Sequence, residues 1–491
     1  MSSHRWTALL GAVLALCIAR LWLMPLGSSF WVDEMVTALV VRHGPDHASL
    51  SVAPQVPASI YYALPWLSER LLGFSEVAYR VPSVLALALA LWLIARIAAR
   101  LICPDAGWLA AFACLALRGF NYQAADARPY ALGTCLAAAS LWFLIRWLDT
   151  AEWREAALFA LTAALLWRVH LIYWPFYTIY PVYAATRLWQ RDTKVSWRAI
   201  AGVMALVGAS LIPVAITARA LLRDAEAHVI VPPPAVKELI YSLKLGLMAT
   251  LCVPLAILSR ARKWPRGAPW PAWGALSLIL GWWVVHPLAI YAFSWLTGNS
   301  LFVSRYLSVA LPGAALAAVT AASLFLPPRL WKPSAAVLGV GVLLLLGRWG
   351  TMWPPHHNSD WRSAARAVNE LQAEEQLPVV CPSPVVEAQP PAWYPDYPIP
   401  SFMYPHLGVY AVQGRLYRLP FKESPEGQAY ARQTLEQDLI KAGRFIIYGG
   451  AGQAGFWRKW FASHYELAGW RWRRVGQFGD VYVVLFESAG L

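Results

Sequence analysis

Four short stretches of this chain carry residues able to do chemistry. In SFWVDEMVT (29–37), Asp33 and Glu34 stand side by side, a few residues after an apolar run that ends near Pro25. In NYQAADARPYAL (121–132), Asp126 and Arg128 are flanked by Tyr122, Gln123 and Tyr130. In NSLFVSRYLSVALPG (299–313), Arg305 precedes Tyr306, and in WRVHLIYW (167–174) His170 follows Arg168. A carboxylate can take a proton from a hydroxyl. Arginine, histidine and tyrosine can hold an anion and stabilise charge that develops on it. Together they are equipment for moving a group from a phosphate-linked donor to a hydroxyl. Each stretch also has an ordinary structural explanation: a helix start for Asp33–Glu34, an ion pair for Asp126–Arg128, an interfacial anchor for Arg305–Tyr306, and a packing residue for His170. What favours chemistry is that all four fall on one face of the membrane in the topology that follows.

The elements positioning these residues are dominated by apolar sequence. Of 491 residues, 58% are hydrophobic and 14% charged, against about 25% charged in a soluble globular chain. The 28 tryptophans fit membrane–water interfaces. Cys17, Cys103, Cys114, Cys135, Cys252 and Cys381 form no CxxC pair, so neither a disulfide framework nor a zinc site is suggested. The net charge of +14 sits between apolar runs, a pattern of membrane topology rather than nucleic-acid binding. Eleven runs reach spanning length: 7–25, 78–99, 107–122, 130–148, 155–171, 172–189, 199–217, 238–258, 271–292, 306–326 and 334–352. The first lacks a small-residue cleavage site and reads as a retained helix.

Basic residues orient these runs. With the N-terminus inside, the inner loops hold Arg96/Arg100, Arg146/Arg154, Arg187/Arg191/Lys194/Arg198, Arg260/Arg262/Lys263/Arg266 and Arg329/Lys332. Facing them are only Asp105, Asp149, Glu152, Glu155 and Asp192. The long first loop (26–77) and the tail (353–491) then lie outside. The loop contains an amphipathic piece, IYYALPWLSERLLGF (60–74), expected to lie flat on the interface. The tail carries 13 basic and 13 acidic residues. Its segment SDWRSAARAVNELQAEE reads as a capped helix with a stripe of Trp361, Ala365, Val368 and Leu371. With PVVC, RFIIYGG and DVYVVLFE as strands, it forms a small α/β domain. The domain reading is thus a transmembrane region, 1–352, followed by an extracytoplasmic α/β domain, 353–491.

In this order, FWVDE, YQAADARPYAL, SRYLSVALPG and DWRSAARAV resemble bacterial glycosyltransferases of the GT-C type. These are relatives of the protein O-mannosyltransferases and of the aminoarabinose transferase that modifies lipid A. The resemblance covers nearly the whole chain. It implies a mainly α, polytopic membrane enzyme of the bacterial inner membrane that takes a sugar from a polyprenyl-phosphate carrier and inverts the anomeric carbon, working on the periplasmic face. It implies Asp33 as base, Glu34 as its neighbour, Asp126 as the acid before ARPY, and Arg128 and Arg305 toward the lipid-linked phosphate. Tyr306, His170 and Tyr61 are expected to contact substrate. There is one departure: relatives carry a polar residue and a diproline before their tyrosine pair, whereas here QVPASIYYAL has Gln55, Val56, Pro57 and Ala58 before Tyr61 and Tyr62. No multi-carboxylate metal constellation is evident beyond Asp33/Glu34 and Asp126. A reaction without a cofactor is expected, with one divalent ion between those acids as an open alternative. The expected partners are the polyprenyl-phosphate sugar, membrane lipid, and a glycan, lipid or protein acceptor. Two other classes stay in view: a lipid-linked sugar flippase, which would place ionisable groups at mid-membrane within repeats, and a non-catalytic membrane scaffold.

Overall fold

The computed structural model describes residues 3–225, 232–265, 267 and 270–488, leaving Arg266 of the basic loops and the terminal Leu491 outside the described residues. The chain separates into two compact units. The first comprises Met1–Leu26, Ser59–Tyr61 and Arg80–Pro354; the second comprises Gly27–Ala58, Tyr62–Tyr79 and Pro355–Leu491.

The first unit is helical. Among the described residues, six helices are long and apolar enough to cross a membrane: His4–Gly27, Glu76–Leu101, Tyr130–Thr150, Trp197–Leu221, Trp273–Thr297 and Pro328–Leu346. Val236–Ser242 and Leu245–Ala261 make a seventh candidate, bent by 55° between its halves. Eleven unbroken spans are therefore not seen among the described residues, because several apolar runs are interrupted. The run 107–122 is helical over Ala106–Leu115, breaks, and resumes over Arg118–Tyr122. The run 172–189 starts as a 3-10 turn, Leu171–Thr178, around Pro175 before helix Ile179–Trp189. Pro175 lacks the amide hydrogen that a regular α-helix needs there. The run 306–326 becomes the shorter helix Leu311–Ser323, with Arg305 and Tyr306 in the turn before it. Buried large side chains such as Phe112, Leu141, Tyr180 and Trp282 form the core of this unit. Leu85, Leu206 and Ile216 point outward, as lipid-facing residues do.

Ion pairs join several basic loops. Asp149 accepts from Arg100 and from Arg187, each at 2.8 Å, and Arg187 also faces Asp192 at 3.0 Å. These loops follow helices Glu76–Leu101, Tyr130–Thr150 and Ile179–Trp189, so they share one end of the bundle.

The second unit holds a five-stranded sheet: β1 (Val379–Pro382), β2 (Leu416–Leu419), β3 (Arg444–Gly450), β4 (Arg471–Arg474) and β5 (Val481–Glu487), in the order β2-β1-β3-β5-β4. Strand β1 is parallel to β2 and β3, while β5 is antiparallel to β3 and β4. The three expected strands are present; β2 and the arginine-rich β4, each of four residues, are additional. Helix Trp361–Glu374 starts as expected, with the Asp360 carboxylate accepting from the Ser363 amide at 3.0 Å. On the sheet, Phe445, Phe461, Phe486 and Trp457 pack together.

Much of the first loop groups with the tail rather than with the helices. Arg362 donates to Glu76 at 3.0 Å and to the Gly27 carbonyl at 2.9 Å. The Tyr410 hydroxyl donates to Glu76 at 2.7 Å and accepts from the Phe30 amide at 2.9 Å. Ser49 accepts from the Phe402 amide. Polar groups of the loop are thereby paired with residues more than 280 positions away, pairing that a linear reading does not reveal.

Candidate functional site

In the first unit, the break after Tyr122 shapes one cluster. Gln123–Ala125 form a 3-10 turn, Asp126 is extended (φ −117°, ψ 116°), and Pro129 leads into helix Tyr130–Thr150. Proline disfavours helical backbone at the residue before it, so a break here is dictated locally. Asp126 is 1% exposed, and its carbonyl accepts from the Ser83 hydroxyl at 2.6 Å. Gln123 is tied to Thr134 at 2.9 Å.

Three expected residues meet at the start of helix Tyr130–Thr150. The His170 ring lies 5.7 Å from Tyr130 and 5.3 Å from Tyr306, centroid to centroid, and Tyr130 lies 6.2 Å from Tyr306. The Arg305 guanidinium stands over the Tyr306 ring at 5.4 Å. Arg128 and Arg305 both act electrostatically on His170. His170 also shapes the backbone, because its Nδ1 accepts from the Ile172 amide at 3.2 Å and starts the 3-10 turn. With Nδ1 an acceptor, the neutral ring carries its proton on Nε2. Tyr61 is buried in the same unit, and Ser59 beside it donates to the Val169 carbonyl at 2.5 Å, next to His170.

Two residues that a sequence reading passes over hold this cluster. The buried His286 donates through Nε2 to the Tyr306 carbonyl at 2.9 Å, fixing the turn that presents Arg305. Tyr173 lies 5.9 Å from His170 and 6.4 Å from His286. Its ring presses on Gly133, where a Cβ would come within 2.3 Å. The only sequence signal for His286 is a polar residue inside an apolar run.

The geometry also orders the bundle's ends. Helix Tyr130–Thr150 has 21 residues, or about 30 Å of length. The cluster of Tyr130, His170, Arg305 and Tyr306 sits at its start, and the Asp149 ion pairs sit at its finish. That cluster and the Asp149 ion pairs thus occupy opposite ends of the helix.

Asp33 and Glu34 belong to the second unit, in the first turn of helix Val32–His43. Trp31 precedes the helix and has no side-chain oxygen to cap it. The fully buried Glu34 caps it instead, accepting from the Trp31 amide at 3.2 Å. Trp31 also stacks on His357 at 5.3 Å with the rings nearly parallel, and Phe30 is held by Tyr410. Asp33 is partly buried at the second helical position. Glu34 therefore closes the start of the helix backbone.

Comparison with known proteins agrees with this architecture. Residues 56–216 match the family model described as dolichyl-phosphate-mannose-protein mannosyltransferase. The whole chain superimposes on ArnT from Cupriavidus metallidurans in the apo state, with a TM-score of 0.56 and 14% identity, covering 100% of this chain and 99% of that one. It superimposes equally on the same protein bound to undecaprenyl phosphate, with a TM-score of 0.55 and 12% identity over 99% and 98%. Arabinosyltransferase EmbB from Mycobacterium smegmatis gives a TM-score of 0.40 and 15% identity over 65% of this chain and 31% of that one. A search of curated proteins finds no sequence match. The chain is an integral membrane protein with the GT-C fold of ArnT, as its motifs suggested.

Proposed function

We propose that this chain is an inverting glycosyltransferase that moves a sugar from a polyprenyl-phosphate carrier to an acceptor hydroxyl on the outer, periplasmic face of the inner membrane. The observation that carries the reading is the gathering of Arg305, Tyr306, Tyr130 and His170, with Arg128 acting on the same ring, at the bundle end opposite the ion-paired basic loops. Basic loops mark the inner side, so that cluster belongs to the outer one. The ArnT structure with undecaprenyl phosphate supports a donor of this chemical class.

In the proposed reaction the acceptor oxygen attacks C1 of the sugar as the bond from C1 to the phosphate oxygen breaks. The electron pair leaves with the polyprenyl phosphate, and the acceptor's proton passes to the Asp33 carboxylate. A phosphate leaving group has a low proton affinity and needs cations more than an acid. Arg305 and Arg128 supply them, worth a few kcal/mol in a dry site. Tyr306, Tyr61 and His170 orient the donor, and Asp126 braces the Arg128 segment. None of these steps requires a cofactor.

Purified protein incubated with radiolabelled polyprenyl-phosphate sugars and membrane extract tests the proposal. Label should appear covalently in an acceptor fraction, with polyprenyl phosphate released in equal amount. Labelled lipid that crosses vesicles with its sugar still attached would instead identify a flippase.

A further inference from the structure

The short helix Ala63–Leu72 is packed with its apolar side outward. Trp66, Leu67, Leu71 and Leu72 are exposed, Leu71 by 74% and Leu72 by 61%, while Ser68 is buried with its hydroxyl on the Ala78 carbonyl at 2.5 Å. A helix in water would present the reverse pattern. Trp66, Leu67, Arg70 and Leu71 share an arc of about 140° at 100° per residue, and Arg70 is the only charge in it. Its guanidinium lies over the Trp66 ring at 5.6 Å.

Chain continuity says what covers this face. The helix stops at Gly73, whose φ of +78° suits glycine, and only Phe74 and Ser75 separate it from the membrane-length helix Glu76–Leu101. The Tyr79 hydroxyl on the latter donates to Glu69, and Phe74 packs on Tyr79 at 5.5 Å. Three residues reach about 11 Å at most, so the exposed face cannot leave the surface of the leaflet that Glu76–Leu101 enters.

Beside it opens a groove of about 340 Å³ lined by Arg42, Trp66, Glu69, Arg70 and Phe74. Arg42 lies over Phe74 at 4.6 Å and faces Glu69 at 3.8 Å. Glu69 is shared between Arg42 and Tyr79, so the groove holds two guanidiniums braced on aromatic rings and one carboxylate already engaged. Braced guanidiniums at a membrane surface suit a phosphodiester. We propose that helix Ala63–Leu72 lies in the membrane surface, with Trp66, Leu67, Leu71 and Leu72 at the acyl boundary, and that Arg42 and Arg70 hold the phosphate of an anionic phospholipid there. This site is independent of the proposed transfer reaction.

The test uses the full-length protein in detergent, titrated with dioleoyl phosphatidylglycerol or dioleoyl phosphatidylcholine and read by native mass spectrometry. Arg42→Gln and Arg70→Gln should each weaken phosphatidylglycerol retention about fivefold, and together roughly twentyfold, with phosphatidylcholine unaffected. Arg366→Gln, an exposed arginine outside the groove, should change neither. Unchanged phosphatidylglycerol retention in the double variant overturns the proposal, as does displacement of the lipid by equimolar inorganic phosphate. A photocrosslinking amino acid in place of Leu71, in otherwise wild-type protein in phosphatidylglycerol nanodiscs, should capture lipid. Capture of another protein chain, or of nothing, overturns the interfacial placement.

Discussion

Replacing Asp33 with Asn separates chemistry from folding at the residue proposed as base. Asp33 occupies the second position of helix Val32–His43, and the backbone start of that helix is satisfied by Glu34 on the Trp31 amide. Losing the Asp33 charge removes its attraction to the helix N-terminus, about 0.3–1 kcal/mol. A fold of ordinary stability, about 5–15 kcal/mol, tolerates that. Losing a general base costs about 10²–10⁴-fold in rate, or roughly 2.7–5.4 kcal/mol of barrier. The variant should thus purify with a nearly unchanged melting temperature, still bind the donor lipid, and lose transfer of radiolabelled sugar by at least two orders of magnitude. Glu34→Gln keeps an acceptor oxygen for the Trp31 amide and should lose far less. Turnover by Asp33→Asn within about threefold of wild type, at unchanged stability, would refute the argument and return Asp33 to an ordinary place in the first turn of a helix.

Arg305→Lys keeps the charge but loses the planar fork over Tyr306, so donor use should weaken, and Arg305→Ala should weaken it further; equal transfer rates for wild type and Ala would reduce Arg305 to an anchor. His286→Leu removes the bond to the Tyr306 carbonyl and should raise the KM for the lipid donor by roughly tenfold, read from initial rates, through the displaced Arg305 turn. His406 is fully buried among Trp361, Tyr404 and Tyr448, and burial lowers its pKa to about 3. The unfolded chain takes up this proton below about pH 6.5 while the folded one does not, so stability is complete above that pH and falls by up to about 1.4 kcal/mol per unit between 6.5 and 3. Melting temperatures from pH 7 to 4.5 should show a slope that His406→Phe flattens. A reporter inserted at Arg260–Arg262 should be active inside the cell and a carboxy-terminal one outside; two cytoplasmic readings would show the span count to be wrong and overturn the argument that the four stretches share one face.

The membrane character was determined by the sequence itself. Hydrocarbon admits few charges, so runs such as 78–99 and 130–148 could only be spans, and they appear as Glu76–Leu101 and Tyr130–Thr150. The strands RFIIYGG and DVYVVLFE and the capped helix at Trp361 were equally legible, because short apolar runs and capping act within a few residues. The types of residue able to do chemistry were visible too, and so was the break before Pro129. Which of them meet was not. His170, Tyr130 and Tyr306 come from three separate segments, and the His286 bond that fixes the Tyr306 turn spans 20 residues of otherwise apolar chain. Only tertiary structure could divide Asp33 from Glu34, since the Trp31 amide chooses its acceptor by geometry. The same holds for the buried Arg20, which gathers the carbonyls of Gly347, Arg348, Thr351 and Met352 from the far end of the helical unit. Buried polar groups must find partners wherever the fold brings them, and that requirement carries no signature in the local pattern of residues.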